Sequence, residues 1–208
     1  TLSGDADGFR FEPDPDARVR FDWPSGFGPP HEFTLRGDVA GWREGAGLKV
    51  GTPALRVQGD GYAADLRGGI WFQNDGTRPV LSLAAQVDEA QVPVARRFWV
   101  RHVMPDAAKR WLDAALVAGR VRGGRALVAG DLDNWPFSTL HGDQHAGLFQ
   151  ADARLVDTTV KFQPDWPALE GLDGEVRFVN DGFSLRGRGA LAGVEVRDIE
   201  ARLAHYGT

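Results

Sequence analysis

Two histidines and a scatter of carboxylates are the residues in this chain that could do chemistry. His141 and His145, with Asp143 between them, have the H-x3-H spacing that would hold a metal on a helix. Gly142 and the nearby Trp135-Pro136 turn argue for a loop instead, and no third ligand is identifiable, so polar turn residues are the better reading. Asp5, Asp7 and Gly8, and likewise Asp14 and Asp16, look like calcium-loop fragments, but the full ligand spacing and the closing Glu are missing. Gly45, Gly47 and Gly51 do not make a phosphate loop, and no serine sits in a nucleophile-elbow context. The carboxylate pairs Asp131 with Asp133 and Asp165 with Glu170 lie in turns beside Trp-Pro, and the sequence does not show the convergence across a cleft that glycoside hydrolysis requires. There is no cysteine, which excludes a disulfide framework, a Cys-ligated zinc and a thiol nucleophile. The chain reads as non-enzymatic, with no catalytic, metal or cofactor site.

The elements that would have to position such residues are strands. Apolar residues alternate with charged ones over short runs: Val19, Phe21 and Trp23 against Arg18, Arg20 and Asp22, then Phe33 and Leu35 against Glu32, Thr34 and Arg36. Leu81, Leu83, Ala85 and Val87 form one face of a further run, and Val176 and Phe178 stand against Glu175 and Arg177. Period two over such lengths predicts half-buried antiparallel strands with one apolar and one charged face, since buried parallel strands read as continuous apolar runs. The near-repeats Phe72-Gln73-Asn74-Asp75-Gly76 and Phe178-Val179-Asn180-Asp181-Gly182 supply residues that tolerate the positive φ of tight turns.

One segment breaks the period. Trp111, Leu112, Ala115 and Leu116 mark a helical face, Pro105 and Asp106 suit its first turn, and Gly119 suits its stop. A shorter helix is expected over 94–100. The predicted fold is therefore mainly β: a long curved antiparallel sheet, groove-like with one apolar face, and a short helical pair inserted near the middle. Residues 1–93 form the first β segment, 94–120 the helical insertion and 121–208 the second β segment, all within one continuous unit.

A net charge of −5 with scattered basic residues argues against a nucleic-acid binder. No apolar run is long enough to cross a membrane as a helix. The start at Thr1-Leu2 fits a segment of a longer protein. Trp23, Trp135 and Trp166 each precede proline and read as structural corners, and Trp71, Trp99 and Trp111 as core or groove rim. The arginines read as a solvated outer face with cross-strand ion pairs.

The stretch from Phe98-Trp99-Val100 through Met104-Pro105 to Arg110-Trp111-Leu112-Asp113-Ala114-Ala115-Leu116 resembles the YhdP-type, AsmA-like family. So do Gly130-Asp131-Leu132-Asp133-Asn134-Trp135-Pro136-Phe137, and Asp165-Trp166-Pro167 through Gly174 with Val176-Arg177-Phe178. The motifs occur in the family's order over roughly residues 90–205, while 1–90 shares only the β pattern. The resemblance implies a parent protein anchored in the inner membrane with a long periplasmic body of repeated β units. It implies a bridge that handles phospholipid between inner and outer membranes, with acyl chains and flanking repeats of the parent chain as partners. The expected lipid-facing residues are Phe33, Leu35, Leu55, Val57, Leu81, Leu83 and Leu155. Val160, Phe162, Val176, Phe178, Leu185, Val194 and Val196 continue that face. The alternative is a structural or protein-interaction β module of the envelope whose apolar face is closed by the helices or a neighbouring repeat.

Overall fold

The computed structural model describes residues 1–22, 24, 29–94, 106–138, 147–163 and 165–205. The alternating runs form β1 (Leu2–Gly4), β2 (Gly8–Phe11), β3 (Arg18–Phe21), β4 (His31–Gly37), β5 (Val39–Glu44), β6 (Gly47–Gly59) and β7 (Tyr62–Phe72). They continue as β8 (Val80–Val87), β9 (Ala90–Gln91), β10 (Leu116–Asp131), β11 (Gly147–Val160), β12 (Leu169–Val179), β13 (Gly182–Leu191) and β14 (Val194–Leu203). The helix α1 (Asp106–Ala115) runs directly into β10.

All fourteen strands join one open sheet whose main path runs β1-β2-β5-β6-β7-β8-β10-β11-β12-β13-β14, and every pairing is antiparallel. The long strand β6 takes β5 along its first half and β4 along its second, with β3 beyond β4. Mainly β, antiparallel and open is what the alternation predicts. Bulges interrupt the ladders, for example between Thr52 and Leu55 and between Arg122 and Arg125. Each adds a residue, bends the strand and shifts the parity of everything after it.

The turns follow the asparagine chemistry. Asn74 and Asn180 both take positive φ, at 61° and 52°. Asn180 also extends the ladder, since its N–H donates to the Phe149 carbonyl at 2.7 Å and its Oδ1 accepts from the Phe149 N–H at 2.9 Å.

The helix stops earlier than the sequence indicates. α1 ends at Ala115, and Leu116, expected on the helical face, opens β10 opposite Val160. Gly119, expected as the stop, lies inside β10 with φ of 113°. Pairing with β11 over a long strand outweighs the helical spacing of a few residues, a tertiary effect that local pattern does not carry. The second expected helix, over 94–100, lies outside the described residues except for Val94, which ends a 3-10 turn over 92–94.

The tightest packing sits at one end of the sheet. Ala115 at the end of α1 packs with Val160, Leu169, Leu172 and Leu185, and Leu172 is fully buried. The Lys161 N–H donates to the Ala115 carbonyl at 2.9 Å, tying the helix end to the strand it covers.

Candidate functional site

Residues paired across an antiparallel ladder point to the same side, and neighbours along a strand to opposite sides. Register therefore assigns each strand residue to a face. Leu55, Leu66, Ala85, Ala126, Ala151, Phe178, Phe183 and Leu203 are successive partners from β6 to β14, a single row across the sheet without a polar side chain. One residue along, the successive partners are Arg56, Asp65, Gln86, Arg125, Asp152, Arg177, Ser184 and Arg202. Along these rows, from β6 to β14, the sheet has one apolar and one charged face.

Propagating the register places Phe33, Leu35, Leu55, Val57, Leu81, Leu83 and Leu155 on the apolar face. Val160, Val176, Phe178, Leu185, Val194 and Val196 share it. Phe162 lies past the end of β11 and packs against the core cluster beneath α1. Val160 and Leu185 are buried, Val194 is 66% exposed, and the others are half-buried. An apolar face left half open in this way keeps hydrocarbon in contact with water.

The β10–β14 half carries structure over both strand ends. At one end lies the α1 cluster. At the other, the turn after β10 folds onto the apolar face: Trp135 meets Phe137 edge-on at 5.5 Å and Phe149 at 5.1 Å, and Phe137 is 2% exposed. Gly147 makes room for it, since a Cβ there would stand 2.4 Å from the Phe137 ring. The turn is fastened through Asp181, which is 5% exposed and accepts from Ser138 and from His205 Nδ1 at 2.8 Å. Burial alone would raise the Asp181 carboxyl, and the bonds from Ser138 and His205 together outweigh it and leave it below the ordinary value.

On the charged face, Arg125 pairs with Asp152 at 2.8 Å, Arg122 with Glu89 at 2.6 Å, and Arg56 with both Asp65 and Asp88. The Arg56 hydrogen bond holds the Asp88 carboxyl below its ordinary range, and Arg122 does the same for Glu89. These exposed pairs set register and solubility more than stability.

Four of the carboxylates considered for chemistry, Asp5, Asp14, Asp131 and Asp133, hold turns. Asp131 accepts from the Asp133 N–H at 2.9 Å and caps the 3-10 turn Leu132–Asn134, while Asp133 accepts from the Arg78 N–H. Asp5 and Asp14 each accept from backbone N–H groups of their own turns. Asp165 and Glu170 are exposed. His141, Asp143 and His145 lie outside the described residues, as do Trp23 and Trp99. Trp135 is a packed corner, but Trp166 is 58% exposed, because the turn before β12 leaves its ring over solvent. Trp71 pairs with Lys49 and Val80 on the charged face, so it is part of neither the apolar face nor the core cluster.

The family model described as YhdP protein matches residues 1–208. The chain is 27% identical over 146 residues to the intermembrane phospholipid transporter YhdP of Escherichia coli strain K12. That alignment covers 69% of this chain and 11% of the relative, so the chain corresponds to a small part of the relative's length. No solved structure matches.

Proposed function

The chain belongs to the YhdP family, and from that premise we propose that it is a non-enzymatic segment of an envelope bridge that carries phospholipid acyl chains on its apolar face. The relative is named an intermembrane phospholipid transporter, which makes lipid handling the family's activity to test here. On this reading the parent protein is anchored in the inner membrane, this segment stands in the periplasm, and flanking repeats continue the sheet beyond β14.

The observation that carries the reading is the row from Leu55 to Leu203, apolar at every strand it crosses and backed by a row that is polar throughout. A hydrocarbon chain needs no directed contact: each methylene removed from water contributes about 0.8 kcal/mol. A row without hydrogen-bonding side chains also holds cargo without trapping it at one point. Neither role needs a nucleophile, metal or cofactor.

A second reading, a closed structural or protein-interaction module, draws on the packed cluster of Leu172, Leu169 and Val160 beneath α1. Native mass spectrometry with lipid extraction, on chain purified from a bacterial host, separates the two. Co-purifying phospholipid supports carriage. A lipid-free chain that also takes up no added lipid sinks it and leaves the module.

A further inference from the structure

Arg43 breaks the rule that separates the two faces. Its strand partner is Leu48, whose other partner is Phe72, and both belong to the apolar face. Every other Lys or Arg held in strand register points to the charged face. The exception falls at the rim, next to last in β5 before the β5–β6 hairpin, at the strand end opposite α1.

The surroundings of Arg43 are specific. It lines a depression of about 410 Å³ with Phe9, Leu48 and Asn74, and with Asp5 and Asp7. The Arg43 N–H donates to the Asp7 carbonyl at 2.8 Å, which fixes the backbone of the two segments together. Among the described residues no carboxylate forms an ion pair with its guanidinium. Asp5 spends Oδ1 on the Asp7 and Gly8 N–H groups, at 2.9 and 3.1 Å, and the Asp7 side chain is bonded to none of the described residues. Leu48 and Phe72 beside it are 41% and 44% exposed, so the apolar face runs uncovered to this rim.

A cation and two carboxylates in one depression, held apart and opening onto hydrocarbon-compatible walls, exclude simple ligands. A bare anion would meet Asp5 and Asp7, and a metal cation would meet Arg43. The pattern fits a ligand that carries both charges and a tail. We propose that this rim is a headgroup seat for a zwitterionic aminophospholipid, with its phosphate on Arg43 and its ammonium on Asp5 and Asp7. Phe9, Leu48 and Phe72 then receive the first carbons of the acyl chains. Guanidinium matches phosphate with paired donors, and a primary ammonium can donate to both carboxylates. The proposal rests on the apolar face carrying acyl chains and adds the headgroup class that enters it.

The test titrates the purified chain with short-chain phosphatidylethanolamine, phosphatidylglycerol, phosphatidylcholine and diacylglycerol of one chain length, each below its micelle concentration. The expected order puts phosphatidylethanolamine first, about tenfold tighter than phosphatidylglycerol, since charge-assisted hydrogen bonds are the strong ones. Phosphatidylcholine, whose ammonium has no N–H, falls below phosphatidylethanolamine. R43Q weakens all three phospholipids about tenfold and leaves diacylglycerol unchanged, R43K restores part of the loss, and D5N/D7N erases the ethanolamine preference alone. Arg43 is exposed, so unfolding curves of R43Q and the parent chain should coincide. Equal binding of the phospholipids, or R43Q without effect on them, overturns the headgroup seat while diacylglycerol binding leaves the carriage reading standing. Binding of no lipid, diacylglycerol included, overturns both.

Discussion

Leu83→Asp separates a face that is open from a face that is packed. Leu83 lies on the apolar face of β8 between Gly68 of β7 and Val128 of β10, and it is half-buried. With no side chain at Gly68, a carboxylate at 83 keeps access to water in the unliganded chain. The folding cost is then about 1 kcal/mol, half the transfer energy of a buried leucine. Unfolding a chain of this length carries an entropy of roughly 0.4 kcal/mol/K, so Tm should fall by about 2–3 °C. Lipid binding should suffer far more. A carboxylate in the path displaces contact with about four methylenes, worth about 3 kcal/mol, or roughly a hundredfold in affinity before its own dehydration is counted. The assay pairs thermal unfolding with displacement of a fluorescent acyl probe. Ala84→Asp is the control, because it puts the same carboxylate one residue along on the charged face, opposite Arg67. A chain that unfolds with Asp at 83 would show the face to be a packed core, and an intact fold with undiminished probe binding would refute the acyl path.

Three further outcomes are expected. Leu172→Ala, at a fully buried position beneath α1, should cost about 3 kcal/mol and lower Tm by about 7 °C, while Leu203→Ala, half-exposed on β14, should cost under about 1 kcal/mol by the same melting assay. Gly147→Ala puts a methyl where the Phe137 ring lies and at a φ of 147°, so it should expel the Trp135–Phe137 turn, read as a red shift of tryptophan emission without loss of the strand circular-dichroism signal. Because the folded Asp181 carboxyl is held below its unfolded value, its contribution is present above the ordinary Asp range and is lost as pH falls through the folded value. Asp181→Asn should therefore flatten the acid limb of the stability-against-pH curve below about pH 4, and an unchanged acid limb would remove Asp181 as the fastening group.

Much of this architecture is legible in the sequence because a half-open sheet is the structure whose physics writes itself most directly as alternation. Leu81 with Leu83, or Val176 with Phe178, need only period two to be assigned together, and even the change of parity in β14 between Val196 and Ile199 shows as a shift in the charged positions. What stays hidden depends on partners distant in the chain. Leu48 and Val50 share a face with Leu55 only because a bulge between Thr52 and Leu55 reverses the parity. Arg43 reads as one more solvated arginine until β6 fixes its side, since Val39-Ala40-Gly41-Trp42-Arg43-Glu44 places its tryptophan outward and its arginine inward. The fastening of Ser138 and His205 to Asp181 joins three distant segments, and no local pattern announces it. The end of α1 is set by Val160, which claims Leu116 for the sheet.

The distribution of side-chain size along the apolar row connects these observations to function. Its centre is Ala85, Ala126 and Ala151, flanked by Leu55 and Leu66 on one side and by Phe178, Phe183 and Leu203 on the other. Alanines between taller neighbours leave a shallow channel running across β8, β10 and β11, beside the taller Leu83, Val128 and Phe149. A protein selecting only for stability would fill such a channel, because each buried methylene there contributes to folding. Here the tight packing is displaced to the strand ends, under α1 and under the Trp135–Phe137 turn, which hold the sheet without occupying its middle. On the proposed reading the stabilisation forgone at the alanines is what an acyl chain supplies when it arrives. On the same reading the charged Arg43 stands at the rim because a charge in the channel would be dehydrated by every passing chain, whereas a charge at its mouth meets only the headgroup.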